Sequence, residues 1–332
     1  MHILKGYTKQ EISWMMYDWA NSAHSVIIVT LLPIFFDTVA GYTADSVSSM
    51  STWGYATSIA MLIVALAAPF LGVFGDIRGM RKKLFSFFML LGVAACAGMA
   101  FTPGMDFTSG PVAAGKVASL ILVLYIVSVI GFDASAIYYD AFLTDVTIED
   151  RMDKVSTMGY GLGYIGGSTI PLLIFLIMNL VGVPMLTCLA FVFGLTAVWW
   201  LAFSLPLLKN CEQTSGKPYE KGDVARSIKG VGTTIKEIIA NKPMLIYILS
   251  YFFYIDGVHT VISMATTYGT NLGLDSTGMM LALLLVQILG LPFCLLYIKC
   301  SEKFGARTMV GFGICVYMFI CIFAFFMNSL WQ

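Results

Sequence analysis

The chain has 332 residues and no net formal charge, is 58% hydrophobic and 11% charged, and has a mean hydropathy of +0.84. A soluble globular chain carries about 25% charged residues, so a water-soluble fold is excluded, and apolar runs of about 20 residues or more imply a polytopic helical membrane protein. With no Walker loop, HExxH or GxSxG, and with His2, His24 and His259 as the only histidines, ATP-driven transport and intramembrane catalysis are disfavoured.

Nine spanning helices are predicted. A polar N-terminus, MHILKGYTKQE, leads into span 1 (13–36) with no cleavable signal or lipidation motif. Span 1 contains YDWANSAHSVI from Tyr17 to Ile27, with Asp18, Asn21 and His24 inside the apolar run. A carboxylate near the bilayer centre costs roughly 2.5–3.5 kcal/mol, so its presence there suggests use.

Spans 2 (52–75) and 3 (83–102) are joined by a turn containing Gly72, Asp76, Gly79, Arg81 and Lys82. Glycine permits a tight turn; the acid is expected to face a helix N-terminus and the basic cluster to meet anionic headgroups. Span 4 (117–141) contains Asp133, Tyr138, Tyr139 and Asp140. Span 5 (156–180) opens on Gly159, Gly161, Gly163, Gly166 and Gly167, small residues at spacings that let helices approach closely, with hinge movement as a secondary reading. Span 6 covers 183–207.

The stretch 208–242 is the one long predicted loop. Its Val224, Ile228, Val231, Ile235 and Ile238 fall on one side of a helix, with Arg226, Lys229 and Lys236 elsewhere, as expected of an interfacial helix rather than a partner-binding one. Span 7 (243–268) carries Asp256 and His259. Spans 8 (277–298) and 9 (308–328) flank a turn with Glu302, Gly305 and Arg307. The seven cysteines have no metal-ligand spacing and read as packing residues.

With the N-terminus in the cytoplasm, all of the 19 Lys and Arg residues except Lys116 fall inside, which sets the expected orientation and puts Gln332 outside. The chain also repeats itself. NxxHSVI around His24 matches DxxHTVI around His259, 235 residues on. The acid, glycine and basic residue of the span 2–3 turn recur 226 residues on, at Glu302, Gly305 and Arg307. A parallel repeat follows: a six-helix half over 1–207, a cytoplasmic loop with an amphipathic helix over 208–242, and a three-helix second half over 243–332.

These motifs resemble the major facilitator superfamily, whose span 2–3 signature Gly72, Asp76, Gly79, Arg81 and Lys82 match while Ile77 departs from it. YDWANSA in span 1, YDAFLTD (139–145), STMGYGLGYIGG (156–167) and YIDGV (254–258) resemble more narrowly the vacuole-effluxer-like branch, known for autophagy-related amino-acid efflux. The resemblance implies an all-α, major-facilitator-type bundle in which spans 1, 4 and 7 line a central cavity. It also implies twelve helices where nine are predicted. A truncated reading frame is the expected reason, with a natural nine-helix protein, or a dimer supplying the rest, as alternatives.

The expected substrate or proton site is therefore Asp18, Asn21, His24, Asp133, Asp256 and His259. With no Lys or Arg inside the apolar parts of these spans, the acids must be protonated, pair with histidine or bind a cation such as a substrate ammonium. The expected function is secondary transport of a small polar solute, plausibly amino acids, by alternating access with protons as a candidate coupling ion. The alternatives are a non-transporting remnant or scaffold and, more distantly, an intramembrane enzyme. No cofactor, metal or nucleic acid is expected, the membrane is expected to be the cell inner membrane, and oligomeric state has no signal.

Overall fold

A computed structural model of the chain describes residues 4–43, 49–216, 218, 223–271 and 276–327. These are helical almost throughout: α1 (Lys9–Ala40), α2 (Ser49–Gly75), α3 (Met80–Met99), α4 (Pro111–Val146), α5 (Glu149–Leu162), α6 (Ile170–Leu180), α7 (Met185–Asn210), α8 (Asp223–Ala240), α9 (Lys242–Asn271), α10 (Ser276–Phe304) and α11 (Ala306–Ala324). A π-helical segment, Gly163–Thr169, joins α5 to α6, and these three together make one span. Among the described residues, nine helices are long and apolar enough to cross a membrane, as the hydrophobic runs predict. Several run past the predicted ends; α1 begins at Lys9 and α4 ends at Val146. Hydropathy reads the hydrocarbon thickness, whereas the helix continues while its backbone hydrogen bonds remain intact.

α1 starts where Thr8 permits. The Thr8 hydroxyl accepts from Glu11 N at 3.1 Å and Glu11 Oε2 accepts from Thr8 N at 2.7 Å, a reciprocal capping box. Glu11 is itself buried, and receives Thr147 Oγ1 at 2.7 Å and Arg151 Nε and Nη2 at 3.0 and 2.8 Å. One carboxylate thus ties the start of α1 to the end of α4 and the start of α5.

The chain forms two compact units, Met1–Asp223 and Val224–Gln332. In the first, α1 is the central helix, packed by α4, α5, the π segment and α7, with Trp14, Tyr17, Ile27, Ile28 and Phe35 wholly or almost wholly buried. Lipid is as apolar as a leucine side chain, so helix association here rests on close packing and hydrogen bonds rather than on water exclusion. α3 and α4 show this at Gly92 and Gly131: a Cβ on Gly131 would lie 2.5 Å from Gly92 N and 2.7 Å from Phe88 O. Backbone cannot swing aside, so Gly131→Ala is expected to destabilise by about 1–3 kcal/mol. Gly115→Ala on the same helix, where a Cβ meets nothing within 4 Å, is the control and should be neutral or slightly stabilising. Thermal denaturation in detergent checks both; equal midpoints would contradict the packing described.

The wide π turn sits where glycine and Pro171 favour it. Pro171 has no amide to donate one turn back, and Thr169 Oγ1 bonds Tyr164 O at 2.8 Å, five residues earlier. In the second unit α10 packs with both α9 and α11. Large apolar side chains such as Leu66, Leu180 and Phe319 face outward, as lipid contact requires.

Candidate functional site

Asp18 is buried in α1, and its Oδ2 accepts a 2.7 Å hydrogen bond from the Tyr139 hydroxyl of α4. Tyr139 is fixed by Trp14, which stacks on it at 4.3 Å and donates Nε1 to Tyr139 O at 2.8 Å. α5 closes the other side with a glycine: a Cβ on Gly159 would fall 2.3 Å from Asp18 Oδ2. Gly163, Gly166 and Gly167 continue this face, their would-be Cβ atoms 2.5 Å from Ser22 Oγ, 2.0 Å from the Trp19 ring and 2.5 Å from Trp19 O. The four glycines bring α5 and the π segment onto the polar side of α1.

Ion pairs among the described residues join Arg81 to Asp76 and Asp145, and Arg151 to Glu11; Asp18 and Asp133 take part in none. A buried carboxylate with a hydroxyl donor and no fixed cation can take up a proton or meet a mobile cation.

Asn21 lies one turn beyond Asp18, buried and beside the Tyr17 hydroxyl. His24 follows, 2% exposed, with Nε2 3.2 Å from Ser128 Oγ, its ring stacked on Phe132 at 4.8 Å and 5.2 Å from Trp200. Its Nδ1 has no partner among the described residues. Tyr17 Oη is 2.8 Å from Ser135 Oγ and accepts from Trp200 Nε1 at 3.4 Å. Tyr17 and His24 therefore form a seam facing α4 and α7 inside the unit, with Asn21 buried beside them. Ser128 and Ser135, seven residues apart on α4, supply its other side. The structure brings Asp18, Asn21 and His24 together along α1 but not Asp133, which is half-buried near Tyr125. Asp256 and His259 are exposed on α9, one turn apart, in the second unit.

The α2–α3 turn differs from expectation at two residues. Gly79, at φ 81°, makes the turn. Asp76 does not cap α3; its side chain is 80% exposed and 3.9 Å from Arg81 Nη2. Instead Gln213 Oε1 accepts from Gly79 N at 2.8 Å and Arg81 N at 3.3 Å, while Gln213 Nε2 donates to Gly75 O at 2.9 Å. A carboxamide both donates and accepts, so it serves the end of α2 and the start of α3 at once, which a carboxylate cannot. Nor does Arg81 reach toward headgroups: it is 5% exposed, pairs with Asp145 and donates to Ala141 O at 3.0 Å. The adjacent Lys82 is half-buried, and a Cβ on Gly72 would meet nothing within 4 Å. In the second unit Gly305 also takes a positive φ, 82°, directly before α11, and Glu302 and Arg307 are exposed. Of α8, the predicted amphipathic segment, the helix is present, but the side chains of Val224, Arg226, Ile228 and Lys229 lie outside the described residues.

Sequence reasoning missed Glu11, Arg151 and Gln213. The TKQE run at Thr8–Glu11 is a capping-box signature that could have placed Glu11 at a helix start; nothing local marks Gln213.

A family profile described as "Vacuole effluxer Atg22 like" matches residues 7–148 and 144–331. The chain is 39% identical over 335 residues to the uncharacterized MFS-type transporter YxiO of Bacillus subtilis, covering 98% of this chain and 76% of that protein. It is 24% identical over 188 residues to autophagy-related protein 22-1 of Penicillium rubens, covering 53% of this chain and 32% of that one. In fold it is similar to the crystal structure of a D-xylose-proton symporter, with TM-score 0.52 and 14% identity over 89% of this chain and 69% of that one. A partially occluded, inward-open xylose transporter XylE from E. coli gives TM-score 0.51 at 13% identity, over 90% and 73% of the two chains.

Proposed function

The chain belongs to the vacuole effluxer Atg22-like family of MFS-type membrane transporters, and on that premise we propose that it carries a small polar solute, with amino acids the first class to test, in exchange or in company with protons. The observation that carries the reading is Asp18: a carboxylate buried in a membrane helix, given one hydroxyl by Tyr139 and, among the described residues, no ion pair. In this reading Asp18 loads and unloads the proton, and Tyr139 fixes the carboxylate's position. His24, bonded to Ser128, holds α1 against α4 so that the carboxylate keeps its place, with Asn21 between the two on α1. Asp133, Asp256 and His259 meet the solute, whose ammonium supplies the charge the acids lack. The turns with Gly72, Asp76, Gly79, Arg81 and Lys82, and with Glu302, Gly305 and Arg307, gate one membrane face. Gly159, Gly163, Gly166 and Gly167 give the close contact across which the helices slide. The two repeats are residues 1–207 and 243–332, joined through 208–242. The basic residues favour a cytoplasmic N-terminus, and the bacterial relative favours the plasma membrane.

Uptake into vesicles reconstituted with the full chain tests this. With labelled amino acids supplied singly, at least one is expected to enter several-fold above empty vesicles, and the imposed pH gradient should raise its final level. Uptake no greater than that of empty vesicles for every amino acid would reject that substrate class.

A further inference from the structure

Between α7 and the second unit the chain does not run free. Cys211 is fully buried, and its Sγ lies 3.6 Å from Gln10 O. Gln213 then spans the ends of α2 and α3 through the three hydrogen bonds described above. Thr214 and Ser215 close over Asp145: their backbone amides donate to Oδ1 at 3.0 and 2.9 Å, and their hydroxyls at 2.9 and 2.8 Å. Arg81 takes the other oxygen, Oδ2, and also donates to Ser215 Oγ at 3.2 Å. Gly216, at φ +116°, lies so close to the α2–α3 turn that a Cβ would fall 2.7 Å from Asp76 O.

Four residues, Gln213 to Gly216, thus touch the turn, the buried arginine and the end of α4 between them, behind the buried Cys211. Their hold is almost wholly polar, and Thr214 and Ser215 are themselves exposed. A segment with few apolar contacts and solvent-facing hydrogen bonds opens more readily than the helices beneath it. Its bonds share acceptors, Asp145 Oδ1 and Gln213 Oε1, so losing one loosens the rest together. The chain continues from it to Val224, where the second unit begins.

We propose that Cys211–Gly216 is a releasable strap that clamps the α2–α3 turn to the end of α4, and that its release is the local step that frees this turn to move. Release uncaps α3, uncovers Asp145 and leaves Arg81 free to re-pair with the exposed Asp76. The purpose of such a step, letting one end of the first unit rearrange during alternating access, rests on the transport reading; the strap itself does not.

Cys211 is a built-in reporter. Burial pushes its thiol up to about 12, so in the docked state it is both covered and unreactive. The full chain in lipid vesicles is treated with N-ethylmaleimide, and alkylation is quantified peptide by peptide at Cys211 and at Cys96, a buried thiol of α3 outside the strap. Gln213→Ala is expected to speed Cys211 labelling by about tenfold or more with Cys96 unchanged. An unchanged Cys211 rate, or Cys211 and Cys96 rising together, would overturn the strap as a separate unit. Should that variant fail to fold, hydrogen exchange on the unaltered chain decides. The amides of Gly79, Arg81, Thr214 and Ser215 should exchange at one common rate, faster than Met89 within α3; four unrelated rates, or a rate equal to that of Met89, would overturn it. Labelling reads the strap whether or not the vesicles take up solute, so failed uptake beside an intact labelling contrast counts against transport alone.

Discussion

Asp18→Asn is expected to abolish uptake driven by a pH gradient, a loss of about tenfold or more, while exchange of labelled for unlabelled solute across the same vesicles continues. The argument is local. Asn keeps the size of Asp and can still accept from Tyr139 Oη through its carbonyl, so the packing among Trp14, Tyr139 and Gly159 is retained. What it loses is the capacity to change charge. A carrier that needs the proton only to complete the energetic cycle then still exchanges solute but cannot accumulate it. Tyr139→Phe should give a weaker version of the same phenotype, because it removes the positioning hydroxyl and leaves the carboxylate. Gradient-driven uptake at the unaltered rate in Asp18→Asn would remove Asp18 from the coupling site.

Arg81→Gln is expected to destabilise the first unit by about 3 kcal/mol, towards the low end of what is lost when one partner of a buried ion pair is removed. The side chain of Asp145 has no solvent exposure, so its charge would remain enclosed without the guanidinium. The low end applies because the amides and hydroxyls of Thr214 and Ser215 still donate to the carboxylate. For a unit of this size the midpoint of its thermal denaturation should fall by about 6–12 °C. The double variant Arg81→Gln, Asp145→Asn removes the stranded charge and should recover at least half the loss. A double variant no more stable than the single one would mean that the pair is not what Arg81 contributes.

The helices were legible because hydrocarbon thickness imposes a length on every apolar run, and nine such runs match nine spans among the described residues. Their ends were not, because polar residues such as Lys9 and Asp145 extend a helix without any hydropathic signal. The polar residues of span 1 were legible as a group, but not which way they face. Tyr17 turns to Ser135 and Trp200, and His24 to Ser128 and Trp200. Serines seven residues apart on span 4 were the available clue; pairing them with span 1 needed a tertiary contact that no one-dimensional pattern contains. The turn after span 2 was legible from its glycine, but the partners of its charged residues were not. Its acid was expected to face a helix N-terminus, yet the group that does so is Gln213, more than 130 residues away. The glycines of span 5 have the spacing of close-packing residues, and the atoms they approach, Asp18 Oδ2 and the Trp19 ring, belong to the YDWANSA run of span 1.

The proposal that this transporter couples solute to protons through Asp18 is tested most directly by following both fluxes at once. Vesicles containing the full chain and an internal pH-sensitive dye receive the transported solute with no gradient imposed. The account predicts a change in internal pH that starts with solute entry, scales with its amount, disappears in Asp18→Asn and is absent from empty vesicles. Solute entry with no movement of protons would contradict it.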